Sequence, residues 1–154
     1  PEIPFGARLT GATINNKQVH ATPADHGQDS HAAIDLKIPN GVTHCSISYE
    51  GGVLLSVPRN QLLPGDTSSG VKITKVKYTG DTLVIRADTL SSHDSSIFLR
   101  TTAQIAKVSG ATLHRLANGS SELVLAAVAN TGITRNLYRS VDIIVDLSPV
   151  RRKR

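Results

Sequence analysis

With 154 residues, 39% of them hydrophobic and 19% charged, the chain suits one folded domain and excludes a disordered polyelectrolyte. Arg151, Arg152, Lys153 and Arg154 supply four of the 17 basic residues behind the net charge of +5, and the other 13 face 12 acidic ones, so the body is too near neutral to expect a nucleic-acid partner. Aromatics make up 3% with no Trp, which argues against stacked platforms for single strands or sugar rings, and no run of about 18 apolar residues offers a membrane span.

The chain opens at Pro1 with no charged segment leading into an apolar one. No signal peptide is visible, and excision from a longer precursor is expected. The dominant signal is then period-two alternation between turn residues. Ala12-Thr13-Ile14 and Gln18-Val19-His20 flank Asn15-Asn16-Lys17 and predict a short hairpin. Residues 21–30 contain Pro23 and Gly27 and predict a loop. His31–Ile38 alternates, with Ala32, Ile34, Leu36 and Ile38 on one face, and Pro39-Asn40-Gly41 closes it as a turn. Val42–Tyr49 is the next expected strand, with Cys45, Ile47 and Tyr49 on one face. The lone Cys45 excludes an internal disulfide and is expected as a small core residue. Gly51-Gly52 breaks the strand, and Val53–Val57 resumes it.

Residues 58–70 form the longest expected loop, with a tight turn at Pro64-Gly65-Asp66. Two long strands follow, Val71–Thr79 and Thr82–Leu90, joined by Gly80-Asp81. In the first, the apolar spacing slips between Ile73 and Val76, which predicts a bulge near Thr74-Lys75. Ser95–Arg100, Gln104–Val108 and Thr112–Leu116 are further strands, and Asn118-Gly119 predicts a tight hairpin turn. Ser121–Ala129 is continuous and apolar, ambiguous between strand and helix. Leu137–Leu147 sets Val141, Ile143, Val145 and Leu147 against Asp142, Ile144 and Asp146 before Pro149 stops it. The expected fold is an all-β antiparallel β-sandwich of about ten strands, with a barrel-like variant as second choice. Residues 1–150 are expected as one domain and 151–154 as a basic tail.

Three constellations could carry chemistry. Asp25-His26-Gly27-Gln28-Asp29-Ser30-His31 holds two His and two Asp, yet a metal needs three or four convergent, well-held ligands. The ordinary reading is a loop leading into a strand. Ser, His and Asp are all present, but no Gly-x-Ser-x-Gly elbow marks a triad. Asp142 and Asp146 share one strand face as a formal carboxylate pair and are expected as solvent-facing charges. Asn118-Gly119-Ser120 matches a glycosylation acceptor and is better explained as a turn. His93-Asp94 and His114 are expected on the surface. No catalytic residue, metal ligand or cofactor is assigned.

Three segments, in order, carry a resemblance. They are Gly11-Ala12-Thr13-Ile14-Asn15-Asn16-Lys17-Gln18-Val19; Asp29-Ser30-His31-Ala32-Ala33-Ile34 through Ile47-Ser48-Tyr49-Glu50-Gly51-Gly52-Val53; and Leu63-Pro64-Gly65-Asp66-Thr67-Ser68-Ser69-Gly70-Val71-Lys72-Ile73 with Tyr78, Gly80-Asp81 and Leu83 to Arg100. Over roughly residues 6–147, the chain resembles the C-terminal β-sandwich accessory domain that follows the (α/α)-barrel in some bacterial glycogen-debranching-like glycoside hydrolases. The resemblance implies a non-catalytic module that packs on a barrel, supports it or contributes a carbohydrate-facing surface. The catalytic carboxylates of such enzymes lie in the barrel, so none transfers here.

The leading expectation is therefore a non-catalytic module of a larger carbohydrate-active, extracytoplasmic or secreted bacterial protein. Its partner would be a neighbouring catalytic domain of the same polypeptide. One alternative is a self-assembling fibre, surface-layer or capsid-like subunit, which would associate through edge strands or an apolar face. Another is a carbohydrate-binding module acting through polar side chains and Tyr49, Tyr78 or Tyr138.

Overall fold

The computed structural model describes residues 1–25, 30–35, 41–58, 70–128 and 138–148. Among them are fourteen strands and no helix. The first six are β1 (Glu2–Ile3), β2 (Arg8–Ile14), β3 (Lys17–Val19), β4 (Thr22–Asp25), β5 (Ser30–Ala33) and β6 (Cys45–Glu50). Then come β7 (Val53–Ser56), β8 (Lys72–Tyr78), β9 (Thr82–Leu90) and β10 (Ser95–Thr101). The last four are β11 (Gln104–Ser109), β12 (Thr112–Arg115), β13 (Ser121–Leu125) and β14 (Tyr138–Ser148). They form four antiparallel sheets, in the orders β1-β5-β4, β3-β2-β6, β12-β13-β10-β7 and β11-β14-β9-β8, none of them closed into a barrel.

The two four-stranded sheets make the sandwich. On β9, Leu83, Ile85 and Ala87 are buried while Arg86 is exposed; on β14, Ile143 and Val145 are buried while Asp142 and Ile144 are exposed. Those inward residues form one cluster with Val53, Ile97, Leu99, Leu123 and Leu125 of the opposite sheet. Removing each such aliphatic side chain from water contributes about 1.5–3 kcal/mol. Thr89 is fully buried although polar, and its hydroxyl donates to Ser95 Oγ at 2.5 Å, which offsets its desolvation. Between β8 and β9 the register shifts from Ile73 to Lys75, the bulge that the apolar spacing predicts.

Turns fix the registers. Asn15 and Asn16 have φ of 47° and 65°, a two-residue turn of the primed type that suits the twist of β2 and β3. The β12–β13 connection differs from the tight turn expected there. Gly119 N donates to Leu116 O at 3.1 Å and Leu116 N to Ser120 O at 2.9 Å, and Gly119 alone takes a positive φ. The turn is therefore a three-residue loop, in which Asn118 accepts from Ser120 N at 3.0 Å through its side chain.

β1 to β6 lie outside this cluster, and Ile3, Ala12 and Ala32 are their buried apolar residues. Four expectations fail here. Thr22–Asp25 is a strand, not loop; it lies at the edge of its sheet, where the missing N–H of Pro23 need not interrupt a ladder on both sides. The strand expected over residues 31–38 is present as Ser30–Ala33 but stops before Ile34 and Asp35, and residues 36–38 lie outside the described residues. Val42 stands outside β6 at 83% exposure. Cys45 is exposed rather than in the core, because the face it shares with Ile47 and Tyr49 lines an open cavity of about 500 Å³. The total of fourteen strands also exceeds the ten expected; the surplus is short edge pieces. Residues 26–29, 36–40, 59–69, 129–137 and 149–154 lie outside the described residues, and with them most of the Asp/His-rich segment, the Pro39-Asn40 and Pro64-Gly65-Asp66 turns, Pro149 and the basic tail.

The two faces of β14 predict a sharp contrast. Ile143→Ala, which empties a fully buried site, should cost about 3 kcal/mol of unfolding free energy, and Ile144→Ala well under about 1 kcal/mol. Urea titration of the two variants checks this directly.

Candidate functional site

Where the N-terminal sheets meet the sandwich, the backbone is pinned by a reciprocal pair. Phe5 N donates to Val53 O and Val53 N to Phe5 O, both at 2.9 Å. Gly51 and Gly52 carry the chain across with φ of 70° and 84°, a region that costs other residues strain. A Cβ on Gly52 would sit 2.8 Å from that of Pro4, and one on Gly6 would overlap the Cδ1–Cε1 edge of the Tyr78 ring. Tyr78 is thus clasped. Its ring lies over Gly6 and packs on the core, and its hydroxyl donates to Gly80 O at 2.8 Å.

Above this seam opens a cleft of about 940 Å³. One wall is the end of β6 and the start of β2, with Tyr49, Glu50 and Arg8; the other is the β8–β9 turn with Asp81 and the β10–β11 turn with Thr101 and Thr102. Tyr49 is 47% exposed and also lines the smaller apolar cavity, on the face that it shares with Cys45 and Ile47. The Arg8 guanidinium donates to Glu50 Oε2 at 2.6 Å. Asp81 is exposed; its carboxylate accepts from Thr82 Oγ1 at 3.3 Å, while its backbone carbonyl accepts from Leu147 N at 2.6 Å. The turn that displays this carboxylate is therefore anchored to the last strand.

Of the three tyrosines singled out from sequence, Tyr49 and Tyr78 come together here. Tyr138 starts β14 while Leu147 at its other end lines the cleft, about 30 Å away along an extended strand. The Tyr138 ring lies 5.3 Å below Lys72 Nζ. Arg8, Glu50 and Asp81 carried no sequence motif; their one signal is adjacency to the glycine breaks at 6, 51–52 and 80.

Four carboxylates elsewhere, Asp142, Asp88, Glu122 and Asp94, are engaged by the fold. Asp142 accepts from Arg86 Nε at 2.8 Å and from a terminal guanidinium nitrogen at 2.9 Å. This hydrogen bonding holds its carboxyl below the usual aspartate range despite an opposing desolvation. Asp146 lies four residues on, about 13 Å along the strand, beyond the ~5–9.5 Å that glycosidic carboxylate pairs require. Asp88 accepts from Ser140 Oγ at 2.6 Å, Glu122 from Ser96 Oγ at 2.7 Å and Asp94 from Ala127 N at 2.7 Å. Ser92 Oγ and His93 Nδ1 lie 3.1 Å apart, but both are exposed, and the adjacent Asp94 holds Ala127 rather than the imidazole. His114 Nδ1 lies 3.9 Å from Glu122. No group of three or more potential metal ligands occurs among the described residues, and they include no helix that could cross a membrane.

No protein-family model, curated protein or solved structure matches the chain.

Two predictions come from this geometry. Gly6→Ala drives a methyl group into the Tyr78 ring, whereas Gly80→Ala meets no atom within 4 Å. Both have positive φ, so strain is common to them, and Gly6→Ala should lower the thermal midpoint further, by about 1–3 kcal/mol in free energy. The second concerns acid. A carboxyl with a depressed folded pKa stabilises fully above its unfolded value and loses that contribution as pH falls through the folded one. Asp142→Asn should therefore lower stability at pH 7 and lose its effect in strong acid, below the ordinary value of 3.8, in urea titrations at each pH.

Proposed function

We propose that the chain is a non-catalytic β-sandwich module of a larger carbohydrate-active protein, packing on or supporting a neighbouring catalytic domain of the same polypeptide. The observation that carries the non-catalytic part is the state of Asp142. Both of its carboxylate oxygens accept from the Arg86 guanidinium, and Asp146 lies about 13 Å farther along the strand, too far to complete a glycosidic carboxylate pair. The carbohydrate context rests on the resemblance of residues 6–147 to accessory domains of (α/α)-barrel hydrolases. Self-assembly through sheet edges is less favoured, because the edge strand β8 exposes Lys72, Lys75 and Lys77. Like charges along an edge oppose pairing with a second copy.

Incubated with starch, xylan and β-glucan, the purified chain should release no reducing sugar. Turnover that co-purifies with the chain and disappears in Asp142→Asn or Asp146→Asn would refute the reading.

A further inference from the structure

We infer that the free edge of β6 is a self-pairing site, at which two copies of the chain join antiparallel along residues 45–49, about a two-fold axis at Ile47. This goes beyond the module's proposed place beside a catalytic domain and does not depend on it.

β6 ends the sheet β3-β2-β6, so one side of its backbone meets β2 and the other meets no strand among the described residues. The ladder decides which groups face outward. Asn15 N donates to His44 O at 2.8 Å, so the backbone of His44 turns toward β2. Residues of an antiparallel strand alternate in this respect. Ser46, opposite Thr13, and Ser48, opposite Gly11, therefore bond inward, and the N–H and C=O groups of Cys45, Ile47 and Tyr49 point to the free edge. Such a row is a template for a further strand.

The other edges are guarded or short. β8 carries Lys72, Lys75 and Lys77, β4 carries Pro23, and Phe5 bonds the outer side of β7 at Val53. The Arg115 guanidinium of β12 donates to Ile105 O of β11 at 3.3 Å, and β1 and β3 have two and three residues. β6, Cys-Ser-Ile-Ser-Tyr-Glu, has no Lys, Arg or Pro.

A second copy is the occupant that fits, because β6 is chemically symmetric about Ile47. An antiparallel pair centred there sets Ile47 opposite Ile47, Cys45 opposite Tyr49 and Ser46 opposite Ser48 of the second copy. The outward backbone groups then meet in hydrogen-bonded pairs, with apolar side chains on one face and serines on the other. On the serine face, Glu50, which accepts from Arg8 at 2.6 Å, comes opposite His44 of the second copy, a cation when protonated. A shift of two residues loses this match. It puts Cys45 opposite Gly51, where the strand has ended at a φ of 70°, or Tyr49 opposite Thr43, ahead of the strand. The apolar face opens on the cavity of about 500 Å³ that Ile3 and Ile34 also line, so the incoming Cys45, Ile47 and Tyr49 cover a surface left open in one copy. The two-fold pair uses the β6 edge of both copies. Assembly through it stops at a closed dimer, distinct from a fibre.

The test is sedimentation equilibrium of the whole chain, with reductant present to keep Cys45 a thiol. It should show a monomer–dimer equilibrium with a dissociation constant on the order of 10 μM, as a short edge interface allows. Ser46→Lys/Ser48→Lys sets lysine against lysine twice across the axis and should weaken pairing about tenfold. Ser46→Lys/Ser48→Glu sets lysine against glutamate twice and should pair as the unsubstituted chain does. Both positions are exposed, so the thermal midpoint of dilute monomer should stay unchanged. Oxidation tests the register separately. Cys45→Ser/Ile47→Cys brings the new thiols together at a Cα separation of about 5.5 Å, within disulfide reach, and should cross-link. Cys45 of the unsubstituted chain lies about 13 Å from its counterpart and should not. A monomer at every loading up to about 0.5 mM overturns the proposal. So does a dimer that is indifferent to Ser46→Lys/Ser48→Lys, pairing lost in Ser46→Lys/Ser48→Glu, or cross-linking through Cys45 in place of the introduced thiol. Should either serine variant fail to fold, the cross-linking pattern decides.

Discussion

Burial of one face of β9 and β14 against β10 and β13 is the constraint from which the rest follows. Strand side chains alternate between faces, so once Leu83, Ile85, Ile143 and Val145 are driven inward, Arg86 and Asp142 have nowhere to go but the outer face. Antiparallel pairing then sets Asp142 opposite Arg86 in the same register that sets Ile143 opposite Ile85. The ion pair is thus a by-product of core register. Its exposure, with both side chains 54% accessible, means that solvent screens it heavily. It reports where the strands lie more than it holds them there.

The same constraint explains why a cleft forms at one end. The sandwich buries long aliphatic side chains, whereas the apolar residues buried on β1 to β6 are Ile3, Ala12 and Ala32. Small side chains yield less burial free energy per residue. Attachment of these strands to the sandwich falls on a few specific contacts instead: the Phe5–Val53 hydrogen bonds, the left-handed Gly51-Gly52 link and the Tyr78 ring on Gly6. Closely fitted backbone at the base and open space above is the shape such a joint leaves. The residues on its rim come from turns and from the ends of β2, β6, β8, β10 and β14.

This division also decides what was legible in the sequence. Strand β9 could be read to the residue, and the β8 bulge could be located, because both are expressed in period-two spacing of apolar residues. Elements with a weaker local signal could not. Pro23 argued for a loop, and only its position at a sheet edge makes Thr22–Asp25 a strand. The alternation around Cys45 correctly set it on the same face as Ile47 and Tyr49, but alternation does not say whether anything covers that face. The cleft is harder still. Its walls come from residues near 6–8, 49–52, 78–81, 101–103 and 147–148, and nothing in any one stretch announces the others.

Aromatic content illustrates the difference between count and placement. Three tyrosines and two phenylalanines in 154 residues spoke against a sugar-stacking surface, and as an average that inference is sound. Yet two of the three tyrosines line a single cleft, one locked in its wall and one exposed. Composition averages over the chain, whereas placement follows the fold. Tyr78 is fixed by its hydrogen bond to Gly80 and by its ring on Gly6, while Tyr49 stays exposed on a strand face that it shares with the exposed Cys45. What an aromatic side chain can do is therefore set by what covers it, which is a property of the assembled sheets rather than of the count.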